Sequence, residues 1–145
     1  MRKSSNRIVS AQFALAFAWL VALTSTLSVL YIGEVMGQMP CLLCWYQRAM
    51  MFPLPVILGL GLWWNDLRVG RYGLALSVLG GGIALWHLGL YLGYMPNRIV
   101  PCSSNGPSCT DDNQVIWGIP IPLLSFVAFA LTAVFSILSL EEPRR

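Results

Sequence analysis

Four cysteines, one arginine and one histidine carry most of the chemistry available to this 145-residue sequence. Cys41 and Cys44 frame Leu42 and Leu43 in a Cys-x-x-Cys motif that enters a stretch predicted to be helical. Cys102 and Cys109 close a small loop. A helix N-terminus presents unpaired backbone N–H groups and about half a positive charge. A thiolate there is stabilised, and Cys-x-x-Cys cysteines commonly titrate below the free value of about 8.5. Arg48 follows Cys44 by four residues, one turn along the same face. A guanidinium at a membrane boundary is costly unless it reaches outward to lipid phosphate or finds an anionic partner such as a thiolate. His87 lies about one turn below the end of another predicted helix, placed either for function or to bond a neighbouring carbonyl.

Spacing and placement leave three readings of the cysteines open. They could be structural disulfides, although a Cys-x-x-Cys link at a helix start rarely serves only as a staple. They could form a four-cysteine zinc site, but the six residues between Cys102 and Cys109 exceed typical knuckle spacing. The third reading is a two-step electron relay.

The elements that position these residues are membrane helices. Hydrophobic residues make up 57% of the chain and charged residues 10%, against about 25% charged in a typical globular domain. So little charge cannot cover a water-soluble protein of this size, and no basic run suggests nucleic acid. A span needs roughly 20 apolar residues, and backbone groups in lipid must bond within their own segment. One membrane domain, residues 1–145, is expected: an all-α bundle of four transmembrane helices over about 12–32, 44–64, 73–92 and 121–140. The first apolar stretch has a basic start, but it exceeds a signal-peptide core and lacks a small-x-small cleavage site, so it reads as a retained helix. Pro53 and Pro55 should bend the second helix. Gly80, Gly81 and Gly82 should let a neighbour approach the third. Pro120 and Pro122 should open the fourth.

Basic residues give the orientation. Arg2, Lys3, Arg7, Arg68, Arg71, Arg144 and Arg145 fall on one side, against Arg48 and Arg98 on the other. Both termini and the 65–72 turn are therefore expected in the cytoplasm, with segments 33–43 and 93–120 facing outward. Tyr31, Trp45, Tyr46, Tyr91, Tyr94 and Trp117 then cluster at the outer boundary, and Trp63, Trp64 and Tyr72 at the inner one. All four cysteines fall in the two outward segments, the side on which disulfides persist.

The string Pro40-Cys41-Leu42-Leu43-Cys44-Trp45-Tyr46-Gln47-Arg48 resembles the signature of the disulfide bond formation protein B (DsbB) family. The short run from Pro101-Cys102 to Cys109, followed by Trp117-Gly118-Ile119-Pro120, is similar to its compact, BdbC-like branch. The likeness covers nearly the whole chain. It implies a bacterial cell-membrane oxidoreductase that reoxidises a soluble extracytoplasmic thioredoxin-like dithiol oxidase and passes the electrons to a quinone, ubiquinone or menaquinone. It further implies disulfides Cys41–Cys44 and Cys102–Cys109. By position, Cys102 would form the mixed disulfide with the partner, Cys109 would pass electrons to Cys41, and Cys44 would face the quinone. Arg48 would help hold the quinone, and His87 stands where the family often has a polar residue near the ring. The long-loop branch separates its second pair more widely and carries an extra membrane-lying helix, so its docking of the two pairs does not transfer.

Other classes make distinguishable demands. A quinone-linked reductase of the vitamin K epoxide reductase type carries its active pair near the end of a late helix, whereas this pair opens the second. A transporter of reducing equivalents needs cysteines within its helices. A non-catalytic scaffold stapled by two disulfides, or built on a four-cysteine zinc site, would lack thiol oxidation altogether.

Overall fold

The computed structural model describes residues 2–94, 115–116 and 118–140. Helix α1 runs over Arg2–Leu30 and relaxes into a π-helical turn, Tyr31–Val35. Helix α2 spans Leu42–Met51 and α3 spans Pro53–Trp64. A 3-10 turn, Leu67–Val69, leads into α4, Gly70–Tyr91. Strands β1 (Val115–Ile116) and β2 (Ile119–Pro120) pair antiparallel just ahead of α5, Ile121–Leu140.

The expected stretch 44–64 is divided rather than continuous. Phe52 keeps helical backbone angles, but prolines at 53 and 55 supply no N–H, so the hydrogen-bond ladder is interrupted between α2 and α3. The bend anticipated from the prolines is therefore a junction between helices of 10 and 12 residues. Among the described residues, three helical stretches are each long and apolar enough to cross a membrane: Val9–Val35, Leu67–Tyr91 and Ile121–Leu140. Their apolar side chains face outward in quantity. Phe13, Phe17, Val78, Leu79, Leu85, Leu131 and Val134 are all exposed, as befits helices bathed in lipid. The aromatic residues Tyr31, Trp45, Tyr46 and Tyr94 are exposed near one set of helix ends, and Trp63, Trp64 and Tyr72 near the other.

Local signals account for the helix ends. Asn65 adopts the left-handed conformation that stops α3, and the Asp66 N–H bonds back to the Gly61 carbonyl at 2.9 Å. Asp66 then caps the 3-10 turn by accepting from Arg68 N. At the end of α4, Gly93 takes φ +77° while the Tyr94 N–H reaches the Gly89 carbonyl at 3.0 Å. A side chain there would strain the turn.

Small residues set the packing. One face of α4 carries the buried residues Gly70, Gly73, Ser77, Gly80, Ala84 and His87. Against it α5 places the buried Phe129, Thr132, Ser136 and Ser139. The Phe129 ring occupies the space that a Cβ at Gly80 would need. The glycine run thus admits a neighbouring helix, as its sequence suggests, through one of its three members; nothing lies within 4 Å of a Cβ at Gly82. Without a hydrophobic driving force between helices in lipid, such close approach is a principal source of cohesion. Phe129 also joins Leu15, Ala18, Ala22, Met51, Leu54, Leu58 and Ala84 in the central core, tying α1, α2, α3 and α4 to α5.

Candidate active site

Cys41 is the residue before the first turn of α2, and its carbonyl accepts the Trp45 N–H at 3.1 Å. The Cys-x-x-Cys motif therefore sits at a helix N-terminus, where unpaired N–H groups favour negative charge on sulfur. Cys41 Sγ donates to Cys44 Sγ at 3.1 Å. That is the separation of two thiols in contact, and a bond of about 2.05 Å requires only a small closure.

The two sulfurs look in different directions. Cys44 lines a cleft together with Arg48 and Gln38, walled by apolar side chains that include Val29, Ile32, Met51 and Phe129. The Arg48 guanidinium donates to the Val29 carbonyl at 3.4 Å and lies 5.5 Å from the centre of the Trp45 ring. Gly33 leaves room for it, since a Cβ there would stand 3.0 Å from Arg48 Nη2. Cys41 turns inward instead. It is 1% exposed and packs with Leu43 and Leu90. His87, fully buried on α4, brings Nε2 to 3.7 Å from Cys41 Sγ. Gln47 Nε2 lies 2.9 Å from the other ring nitrogen, Nδ1.

The sequence-predicted residues Cys41, Cys44, Arg48 and His87 are thus brought together by α2 and α4. His87, expected near a quinone ring, does not line the cleft and contacts Cys41. The cause is the packing of α4, whose buried face carries His87 against the start of α2. Cys102 and Cys109, and with them the expected loop disulfide, lie outside the described residues.

Two glutamines also belong to the site. Gln47 is buried at 6% exposure; its signal was a polar residue three positions after Cys44 in a largely apolar helix. Gln38 sits in the cleft with its Oε1 buried and without a hydrogen-bond partner. No local pattern singles it out.

Two kinds of ligand can be weighed against this geometry. Cys41, Cys44 and His87 offer three donor atoms within 4.8 Å of one another, a set that a thiophilic cation could also use. The cleft suits a flat, mostly apolar ring bearing oxygens. Arg48 supplies donors for a carbonyl or phenolate oxygen, and the orphaned Gln38 Oε1 requires a donor such as a hydroxyl. The residues present therefore fit a quinone and its reduced form.

Comparison with known proteins identifies the family. The family model described as "Disulfide bond formation protein DsbB" matches residues 11–139. A probable disulfide formation protein from Metapseudomonas resinovorans is 50% identical over 86% of this chain and 87% of its own length. Another from Deinococcus radiodurans is 38% identical over 90% of this chain and 89% of its own. The disulfide bond formation protein C of Bacillus subtilis is 36% identical over 90% and 91%. No solved structure matches the chain. With a cysteine pair at a helix start and a family match spanning nearly all of its length, the chain belongs to the DsbB family of disulfide bond formation proteins.

Proposed function

We propose that this protein is a thiol–quinone oxidoreductase of the bacterial cell membrane. It reoxidises a soluble thioredoxin-like dithiol oxidase outside the cytoplasm and passes the electrons to ubiquinone or menaquinone. The observation that carries this reading is Cys44, which shares an apolar cleft with a guanidinium donor and an unpartnered carbonyl acceptor. Family membership supports a disulfide-forming role.

In this reading α2 and α3 together make the remaining span, giving four crossings with both termini cytoplasmic. The basic residues of the N-terminus and of the turn after α3 support that orientation. The Cys41–Cys44 pair and the 102–109 loop then face outward.

A reduced partner attacks the Cys102–Cys109 bond, and the mixed disulfide forms at Cys102. The freed Cys109 thiolate attacks Cys41, forming a Cys109–Cys41 bond and releasing Cys44 as a thiolate. That leaving group is favoured by the α2 N-terminus and by Arg48, and a low leaving-group pKa speeds exchange. Resolution of the mixed disulfide by the partner's second thiol frees Cys102, which takes Cys109 back from Cys41. The Cys41–Cys44 pair then remains as the dithiol. A bound quinone supplies a two-electron acceptor for re-forming the Cys41–Cys44 bond. Arg48 would hold its oxygen, Gln38 would accept from the hydroxyl of its reduced form, and the apolar walls would exclude water.

The experiment is direct. The full chain in lipid nanodiscs receives a reduced thioredoxin-like protein and a short-chain quinone, and quinone absorbance and partner thiols are followed together. One quinone should be consumed per partner disulfide made. Cys44→Ser should abolish quinone reduction while the 102–109 bond still forms. Full turnover in Cys44→Ser, or partner oxidation without quinone loss, would refute the reading.

A further inference from the structure

We propose that His87, with its tautomer set by Gln47, is the group that holds Cys41 as a thiolate, so that each sulfur of the pair has its own ionising partner. The proposal rests on the reading of Cys41 and Cys44 as the redox pair, and goes beyond it by moving His87 from the quinone side to Cys41.

The geometry is a directional chain. The Gln47 amide donates to His87 Nδ1 across 2.9 Å. A neutral imidazole accepting at Nδ1 carries its proton on Nε2. That N–H points at Cys41 Sγ, 3.7 Å away, within hydrogen-bonding range for sulfur. Cys41 in turn donates to Cys44 at 3.1 Å. The chain runs from Gln47 through His87 and Cys41 to Cys44, which lines the cleft.

Burial makes such a partner necessary. Cys41 is 1% exposed, and desolvation alone disfavours a charged sulfur. Yet re-forming the Cys41–Cys44 bond requires Cys41 to attack as a thiolate. In that step Cys41 would give up its S–H proton, the Cys41–Cys44 bond would form, and the pair's two electrons would pass to the quinone; with Cys44 already a thiolate, one of the quinol's two protons would come from Cys41 and the other from water. Arg48 stands on the cleft side with Cys44, and Cys41 does not line that cleft. Among the described residues, Tyr31, Glu34 and Tyr46 are exposed, and Tyr91 is partly so. From the elements packed on Cys41, α2 contributes Cys44 and Gln47, and α4 contributes His87. His87 is the catalytic residue here, and Gln47 positions it.

The test reads ionisation without quinone or partner. In the full-length chain with Cys44, Cys102 and Cys109 changed to Ser, thiolate absorbance of Cys41 near 240 nm is titrated against pH. Adding His87→Leu should raise the midpoint by about one unit or more, the scale on which a lost hydrogen bond or charge partner acts. Gln47→Leu should raise it less. Gln47→Glu should lower it, because a carboxylate accepting at Nδ1–H favours the imidazolium, which strengthens the donor facing sulfur. Melting temperature is measured on each variant. A midpoint unmoved in both His87→Leu and Gln47→Glu, in protein that melts as its parent does, overturns the proposal and leaves His87 as a packed polar residue. If His87→Leu does not fold, the opposite displacements of Gln47→Glu and Gln47→Leu decide it, and displacements in the same direction overturn it. Failure here with intact partner oxidation by the unsubstituted chain would remove the His87 role alone.

Discussion

Two glycine substitutions, at positions 80 and 82, should act with opposite sign. Alanine at either position 80 or 82 improves helix propensity by roughly 0.5–1 kcal/mol. At Gly82 nothing lies within 4 Å of the new methyl group, so that gain should appear undiminished. At Gly80 the methyl falls on the Phe129 ring. Phe129 is fully buried and belongs to the central core, so it cannot swing clear. Overpacking of this kind costs about 1–3 kcal/mol. The two variants should therefore differ by about that amount, or roughly 5 °C in melting temperature for a chain of this size, with Gly80→Ala below the parent and Gly82→Ala at or above it. Thermal melting in one detergent under identical conditions measures this. Phe129 also walls the cleft, so Gly80→Ala should raise the KM for quinone while Gly82→Ala leaves it unchanged. A Gly80→Ala protein as stable as Gly82→Ala would refute the packing described for α4 and α5.

Further predictions concern the cleft. Arg48→Met should weaken quinone affinity by roughly 10- to 100-fold, since a hydrogen bond to a charged donor contributes about 1.5–3 kcal/mol; an unchanged quinone KM would assign Arg48 to lipid phosphate instead. Gly33→Ala should perturb the same step only a few-fold, about 1 kcal/mol or less, because a Cβ 3.0 Å from the guanidinium needs it to give by a few tenths of an ångström; a loss as large as that of Arg48→Met would mean that the guanidinium position is rigid. Stripping the purified protein with a chelator should leave thiol oxidation unchanged; a loss restored by zinc would revive the metal reading, with Cys41, Cys44 and His87 as ligands.

Much of the architecture was legible because the membrane imposes simple rules on composition. The predicted fourth span, 121–140, coincides with α5, and the third, 73–92, nearly with α4. Prolines at 53 and 55 marked where the second stretch breaks, and the Cys-x-x-Cys motif marked a helix start. These features are local: hydrophobic length, missing donors and helix termini are written into neighbouring residues. The reading of Cys41 and Cys44 as a redox pair, with Arg48 one turn beyond, rests on the same kind of local pattern.

The division of labour around the pair was not local. No property of residues 41–48 reveals that Cys44 opens on a cleft while Cys41 is buried against another helix. That depends on how α4 packs, and α4 presents His87 to Cys41 across 46 positions of sequence. Gln47 and Gln38 acquire roles only from what surrounds them, one bonded to an imidazole and the other left with an unsatisfied oxygen in the cleft. Likewise, three consecutive glycines look alike in sequence, and only the position of Phe129 separates Gly80 from Gly82. Periodicity and composition determine where helices lie and which residues can react; rotation of one helix against another, set by side-chain packing, decides which partner each reactive atom meets.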